Sequence, residues 1–371
     1  MSEYQYYGWQ AIDRPLNEHE LDEVAGLSSH MDEVSSMSAA VTYNWGDFKH
    51  DPEQVLLKYF DVFLYDSNFG FRRVMFRIPK KLLDLHAVES YLDDENISLK
   101  TQGNYRVLEL SCNEDFELEF VDSGRVLGRL STLREQIMQG DYRALYLTWL
   151  KSVMPENMES AEEIKEPPVP LGLNQLDAGL RALIDFFGID PHLVAAAAGS
   201  SQQIGTVPEA DPAVLISKLS REEMEAYLGD IVRGEPGALV SLKKHLTKLA
   251  DNMPGQKPAR QMRTLAELFQ LRDRLKKQAH AKTQKEAERK RIQRLAQLSQ
   301  RQEATWTKVE SLCKEKRGKA YEEAVQLLHE LYELGQYTHQ ESQFQQRFAA
   351  ILDQFGKSVA FKDRLRRAGL I

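Results

Sequence analysis

Cysteine is scarce in this 371-residue chain: only Cys112 and Cys313 are present. Two thiols far apart in sequence make neither a disulfide framework nor a metal knuckle, so a reducing compartment is the natural setting. Long apolar runs are also missing, and nothing approaches a membrane span. The N-terminal MSEYQYYGWQAIDRP has no basic segment and no apolar core of the signal-peptide kind. These absences predict a cytoplasmic protein with no membrane partner. The chain has no GxxxxGK[ST] loop and no GxGxxG after a strand, which removes the usual phosphate cradles, and it has no HExxH and no GxSxG. Its nine histidines are scattered, and His19 and His30 have no cysteine to complete a metal set. No cofactor, metal ligand or catalytic residue is therefore assigned, and an enzyme is less expected than a binding protein.

Two local absences are equally informative. From Arg260 to Arg301 there is no Gly or Pro, and between Leu271 and Thr305 there is no aromatic residue. The first predicts one long helix across the segment 257–303, roughly 60 Å if some forty residues rise 1.5 Å each. Leu265, Leu268, Phe269, Leu271 and Leu275 give an apolar stripe at its start, and Ile292, Leu295 and Leu298 give another at its end. Between them His280–Arg291 reads HAKTQKEAERKR, with only Ala281 and Ala287 apolar. Helix propensity must hold that middle, helped by i,i+4 pairs such as Glu286 with Lys290. The middle should lie in water with each end docked.

Charge sharpens this picture. Residues 257–319 hold 19 Lys and Arg against 7 Asp and Glu, a balance of +12, while residues 1–256 stand at −19 and residues 320–371 at −1. Such asymmetry points to an acidic partner, either a protein or a nucleic-acid backbone. The candidate contacts are Lys276, Lys277, Lys282, Lys285, Arg289, Lys290, Arg291 and Arg294. The plainer reading is a solvated helix that pairs with the protein's own acidic body. Without aromatics, the stacking platform that single strands use is missing, so any nucleic acid would be held through phosphates with little sequence choice.

The rest predicts an α+β architecture: an N-terminal, mainly antiparallel sheet with short helices, then an all-α region containing the long basic helix and a small C-terminal bundle. In the head domain, 1–154, strands are expected over Tyr4–Ile12, around Val41–Trp45, at Asp61–Tyr65 and Arg72–Ile78 joined by SNFG, and at Ile97–Lys100, Tyr105–Ser111 and Phe116–Val121. Asn17 with Glu20 is a capping box, Asp51-Pro52 opens a helix, and Ser28–Ser38 reads as a polar connection. A helix is expected over Lys80–Leu92. The last hairpin is acidic, with Glu109, Glu114, Asp115, Glu117, Glu119 and Asp122. Alternation with Phe116, Leu118 and Phe120 makes this a solvated face, with contact to Lys290 and Arg291 as a lesser expectation. Trp45 and Asp47 are candidates for a head-domain pocket; in the plainer reading Trp45 and Phe48 anchor the core around a tight turn.

Leu127, Leu130, Leu133 and Ile137 mark one helix closed by Gly140. Residues 155–170 read as an acidic, Pro-rich linker or exposed loop. Helices follow through 171–256, with Asp190-Pro191 and the Ser220/Glu223 box as starts. The bundle at 304–371 has Gly335 as a helix stop.

The strings YYGWQAIDRPL, YNWGDF and DPEQVLLKYFDVFLY, with PPVP (167–170), GIDPHL (188–193) and FKDRLRRAGL (361–370), resemble a bacterial protein family of uncharacterised activity. The resemblance spans most of the chain. It implies a bacterial cytoplasmic protein and assigns no catalysis. Three roles are expected in order: a non-enzymatic binding or scaffold protein with the basic helix as spacer and electrostatic contact, a sequence-nonspecific nucleic-acid-binding accessory protein, and an enzyme with its site in the head domain.

Overall fold

The computed structural model describes residues 3–113, 122–153, 158–201, 212–251 and 263–371. The chain forms two compact units, Met1–Lys276 and Lys277–Ile371.

The first unit begins with β1 (Gln5–Gln10). Helix α1 (Glu18–Ala25) starts on the expected box: the Asn17 side chain accepts from the Glu20 N–H, and the Glu20 carboxylate accepts from the Asn17 N–H. Strands β2 (Met31–Val34) and β3 (Ser38–Tyr43) follow, then α2 (Pro52–Tyr59) with Asp51 capping and Pro52 in its first turn. Next come the hairpin β4 (Val62–Ser67) and β5 (Phe71–Pro79), the short α3 (Leu85–Glu89), and β6 (Ile97–Gln102) turning at Gly103 (φ +55°) into β7 (Tyr105–Asn113). The seven strands lie in the order β2-β3-β1-β4-β5-β7-β6, and each neighbouring pair is antiparallel.

Strand periodicity sorts the side chains into two cores. Val62, Leu64, Val74, Phe76, Ile78, Leu108 and Leu110 face the helices that follow the sheet. Tyr7, Trp9, Phe63, Tyr65 and Met75 face the other way, with Val55, Leu56 and Phe60 from α2 and its end. Those later helices are α4 (Ser123–Leu130), α5 (Thr132–Gln139), α6 (Arg143–Ser152), α7 (Met158–Glu163), α8 (Ala178–Phe187) and α9 (Pro191–Ala198). Then come α10 (Pro212–Ile216), α11 (Arg221–Val232), α12 (Ala238–Asp251) and the start of α13 (Leu265–Gln300). No helix among the described residues is long and apolar enough to cross a membrane.

The structure corrects several local expectations. Ser28–Ser38 contains the edge strand β2, whose pairing with β3 supplies the order that its polar Asp32 and Glu33 do not signal. Lys80–Leu92 is a single 3-10 turn at Lys80–Leu82 and then α3, because Leu83 is extended and Asp84 caps a new start. The helix expected through Leu127–Ile137 is two, α4 and α5, broken at Ser131, although all four apolar markers are buried. The stretch expected as an exposed linker has Ala161, Glu166 and Pro167 buried, with Glu166 N–H donating to the Arg263 carbonyl (2.9 Å). Phe116–Val121, with Glu114, Asp115, Glu117 and Glu119, lies outside the described residues.

In the second unit, α14 (Gln302–Glu315), α15 (Gly318–Tyr337), α16 (Glu341–Phe355) and α17 (Val359–Arg367) pack around Trp306, Val309, Cys313, Leu328, Phe348 and Phe361. Burial pushes the Cys313 thiol up to about 11, as suits a packing residue rather than a nucleophile. Gly335 does not stop its helix. It is buried inside α15, where an added Cβ would come 3.4 Å from the Phe344 Cβ, so its role is close helix packing.

Candidate polyanion interface

Helix α13 is 36 residues long, about 54 Å at 1.5 Å per residue. In the first unit its opening turns are anchored. Leu265, Ala266 and Leu268 are buried in the helix-side core, and Phe269, Leu271 and Leu275 pack against that core. The Thr264 hydroxyl accepts from the Glu267 N–H and the Glu267 carboxylate accepts from the Thr264 N–H, a reciprocal cap. Just upstream, the Arg263 guanidinium grips the Glu166 carboxylate with two bonds of 2.7 Å, and the Tyr146 hydroxyl donates to the same carboxylate. Burial, with the Glu166 charge beside it, drives the Tyr146 phenol far up, so it stays a donor. Burial alone would lower the Arg263 value, but its bonds to Glu166 outweigh that and hold the guanidinium charged.

Every residue from His280 to Arg291 is exposed. This is the helical, solvated segment expected from its composition, since it has almost nothing to bury. In the second unit Leu295 and Leu298 are buried again, with Leu334 of α15.

The eight candidate cations divide by environment. The Arg291 and Arg294 guanidiniums both pair with Glu333 of α15, the first at 2.5 Å, so one carboxylate accounts for two positive charges. Bonds from Glu333 and then Glu288 raise the Arg291 value further. Lys276, Lys277, Lys282, Lys285, Arg289 and Lys290 are exposed and have no ion-pair partner among the described residues. The expected Glu286–Lys290 pair does not form; a contact between two long solvated side chains gains too little to hold one geometry. Lys282, Lys285 and Arg289 share one helix face with Gln278, and these four side chains line a shallow recess with Ala281 and Glu286. Within the second unit, then, Glu333 neutralises Arg291 and Arg294, a carboxylate of the C-terminal bundle rather than of the acidic N-terminal body.

The two head-domain candidates are placed differently. Trp45 is 70% exposed beyond the end of β3, so of the two expected anchors only Phe48 is in the core, against Trp9 and Tyr7. Gly46 takes φ +79° at the turn. Gln5 holds the turn through Nε2, which donates to the Gly46 carbonyl (3.0 Å) and to Asp47 Oδ1 (2.8 Å); its Oε1 accepts from the hydroxyls of Tyr7 and Tyr65.

A cavity of about 590 Å³ opens elsewhere in the first unit, between the end of β1, α5 and the turn joining α11 to α12, and neither Trp45 nor Asp47 lines it. Ile12, Ile231 and Leu239 give it apolar walls, and Asp13, Arg134 and Glu135 supply charge. Arg134 is 1% exposed and saturated: two bonds to Asp13 (2.8 and 2.7 Å), one to the Arg77 carbonyl (2.7 Å), and an ion pair with Asp61 (3.1 Å). Asp13 and Arg134 satisfy each other, so they act as a structural pair rather than as acid, base or anion ligand. Composition and spacing give no sign of this cluster, because Asp13 and Arg134 are 121 residues apart.

Compared with known proteins, the chain matches no family model, no curated protein and no solved structure.

Proposed function

We propose that this chain is a non-enzymatic binding protein whose electrostatic contact to an acidic partner, a protein or a nucleic-acid backbone, is the solvated middle of α13. One observation carries the reading. A helix exposed without interruption from His280 to Arg291 presents cations that the described residues leave without carboxylate partners. A helix with no apolar face gains nothing from tertiary packing over this stretch. Its charge is therefore available to a partner. The saturation of Arg134 by Asp13 and Asp61 supports a binding role over a catalytic one, since the polar groups that meet at the cavity are already paired.

Retention of the full chain on a sulfated-polysaccharide support tests the proposal. The wild type is expected to bind at low salt and to elute as salt rises, and the Lys282→Glu/Lys285→Glu/Arg289→Glu variant to pass through unretained. Elution of both at the same salt concentration would contradict it.

A further inference from the structure

Taking the exposed middle of α13 as the electrostatic contact just proposed, we infer that its partner is the phosphate backbone of a double-stranded nucleic acid, gripped by Gln278, Lys282, Lys285 and Arg289 on one flank and by Lys290 on another.

An acidic protein fits this surface poorly. Protein interfaces draw their energy from a desolvated centre in which aromatics and Arg are enriched and Lys is depleted. Between His280 and Arg291 the apolar side chains are Ala281 and Ala287, and all twelve residues are exposed. Ile292, at 39% exposure, is the first larger apolar residue beyond them, and Leu295 and Leu298 after it are already buried against Leu334. Such a surface offers a protein only exposed ion pairs, whose gain in water barely exceeds the cost of fixing two long side chains.

A duplex does not require an apolar centre. Its phosphates hold condensed counterions, and each cation that displaces them gains affinity through their release. The requirement is for solvated cations, unpaired in the free protein and held in fixed relative positions. Lys282, Lys285, Arg289 and Lys290 meet it on the part of α13 that lies in the second unit. At about 100° per residue, Lys282 and Arg289 lie roughly 20° apart around the axis, with Gln278 and Lys285 alongside. Lys290 stands on a second flank roughly 110° away. A helix about 10–12 Å across fits a major groove about 12 Å wide, with phosphates on both sides of it. The side chains on these flanks are Lys, Arg and Gln, the types that position a protein on phosphates. A single strand is disfavoured, because no aromatic lies between Leu271 and Thr305 to stack on its bases.

Fluorescence anisotropy on the full chain separates the outcomes. The probes are a labelled DNA duplex of about 30 base pairs, one of its strands alone, and labelled poly-L-glutamate, between about 50 and 200 mM salt. The comparison protein is Lys282→Gln/Lys285→Gln/Arg289→Gln, in which Gln keeps helix propensity and far-UV circular dichroism confirms the fold. The duplex is expected to bind more tightly than the strand, with log Kd rising by about 3.6 per log unit of salt from four neutralised phosphates. The variant is expected to lose about 2.7 of that slope. Binding of poly-L-glutamate and not of duplex, weakened in the variant, would overturn the duplex assignment while leaving the electrostatic contact standing. Equal binding of strand and duplex, or an unchanged slope in the variant, would also overturn it. Failure of every probe to bind would overturn both readings.

Discussion

The least expected residues are the buried ion pairs of the first unit. Asp61 is 1% exposed, accepts from Arg77 (2.8 Å) and the N–H groups of Ile12 and Asp13 (2.7 and 2.9 Å), and forms an ion pair with Arg134 (3.1 Å). Burial alone would raise its carboxyl; Arg134 and Arg77 reverse this and hold it below its ordinary 3.8. A carboxylate lowered in the folded state stabilises fully above the unfolded value. That contribution is lost as pH falls through the lower folded value. Removing the charge leaves two buried guanidiniums undercompensated, which costs about 3–5 kcal/mol. Urea unfolding at neutral pH should therefore show Asp61→Asn less stable than wild type by that amount. The gap should shrink as acid protonates Asp61 in the wild type. A gap that stays constant into strong acid would contradict the assignment. None of this was legible in sequence, because Asp61 joins residues 48, 49, 16 and 73 positions away and no periodicity marks such a meeting.

At the scale of elements, what could be read depended on range. The starts at Asn17, Asp51, Asp190 and Ser220 were legible because a cap is a contact within three residues, and all four side chains accept the expected backbone N–H. The break at Ser131, the buried Gly335 inside α15, the edge strand β2 and the buried Glu166 were not legible. Glu166 depends on Arg263, 97 residues away, while β2 and Gly335 depend on partners across a turn, β3 and Phe344, that no local period marks. Glu166 carries the most weight, because it fixes where α13 begins: Arg263 and Tyr146 converge on it, and the Leu265 N–H donates to the Ile164 carbonyl (2.9 Å). Glu166→Ala would leave Arg263, half-buried, without its counter-charge. It should cost about 3–5 kcal/mol and open the chain just before Leu265 to limited proteolysis. An unchanged cleavage pattern and denaturation midpoint would show that the packing of Leu265 and Leu268 alone holds the root.

At the scale of the whole molecule, charge and burial carry the argument together. The chain is acidic overall, at −8, yet residues 257–319 stand at +12. The described part of that segment is mostly helix. The exposure of the middle of α13 was legible from composition, since HAKTQKEAERKR has no apolar face to hide. Which cations would be neutralised internally was not, because Glu333 lies 42 residues beyond Arg291.

The central claim is that Lys282, Lys285 and Lys290 are solvated in the free protein and covered by a polyanion when it binds. Lysine acetylation followed by mass spectrometry, with and without duplex DNA at low salt, measures both halves of that claim. All three lysines should label rapidly in the free chain and severalfold more slowly with duplex present, while lysines outside α13 keep their rates. Slow labelling in the free chain, or rates at these three positions that do not respond to the duplex, would contradict the account.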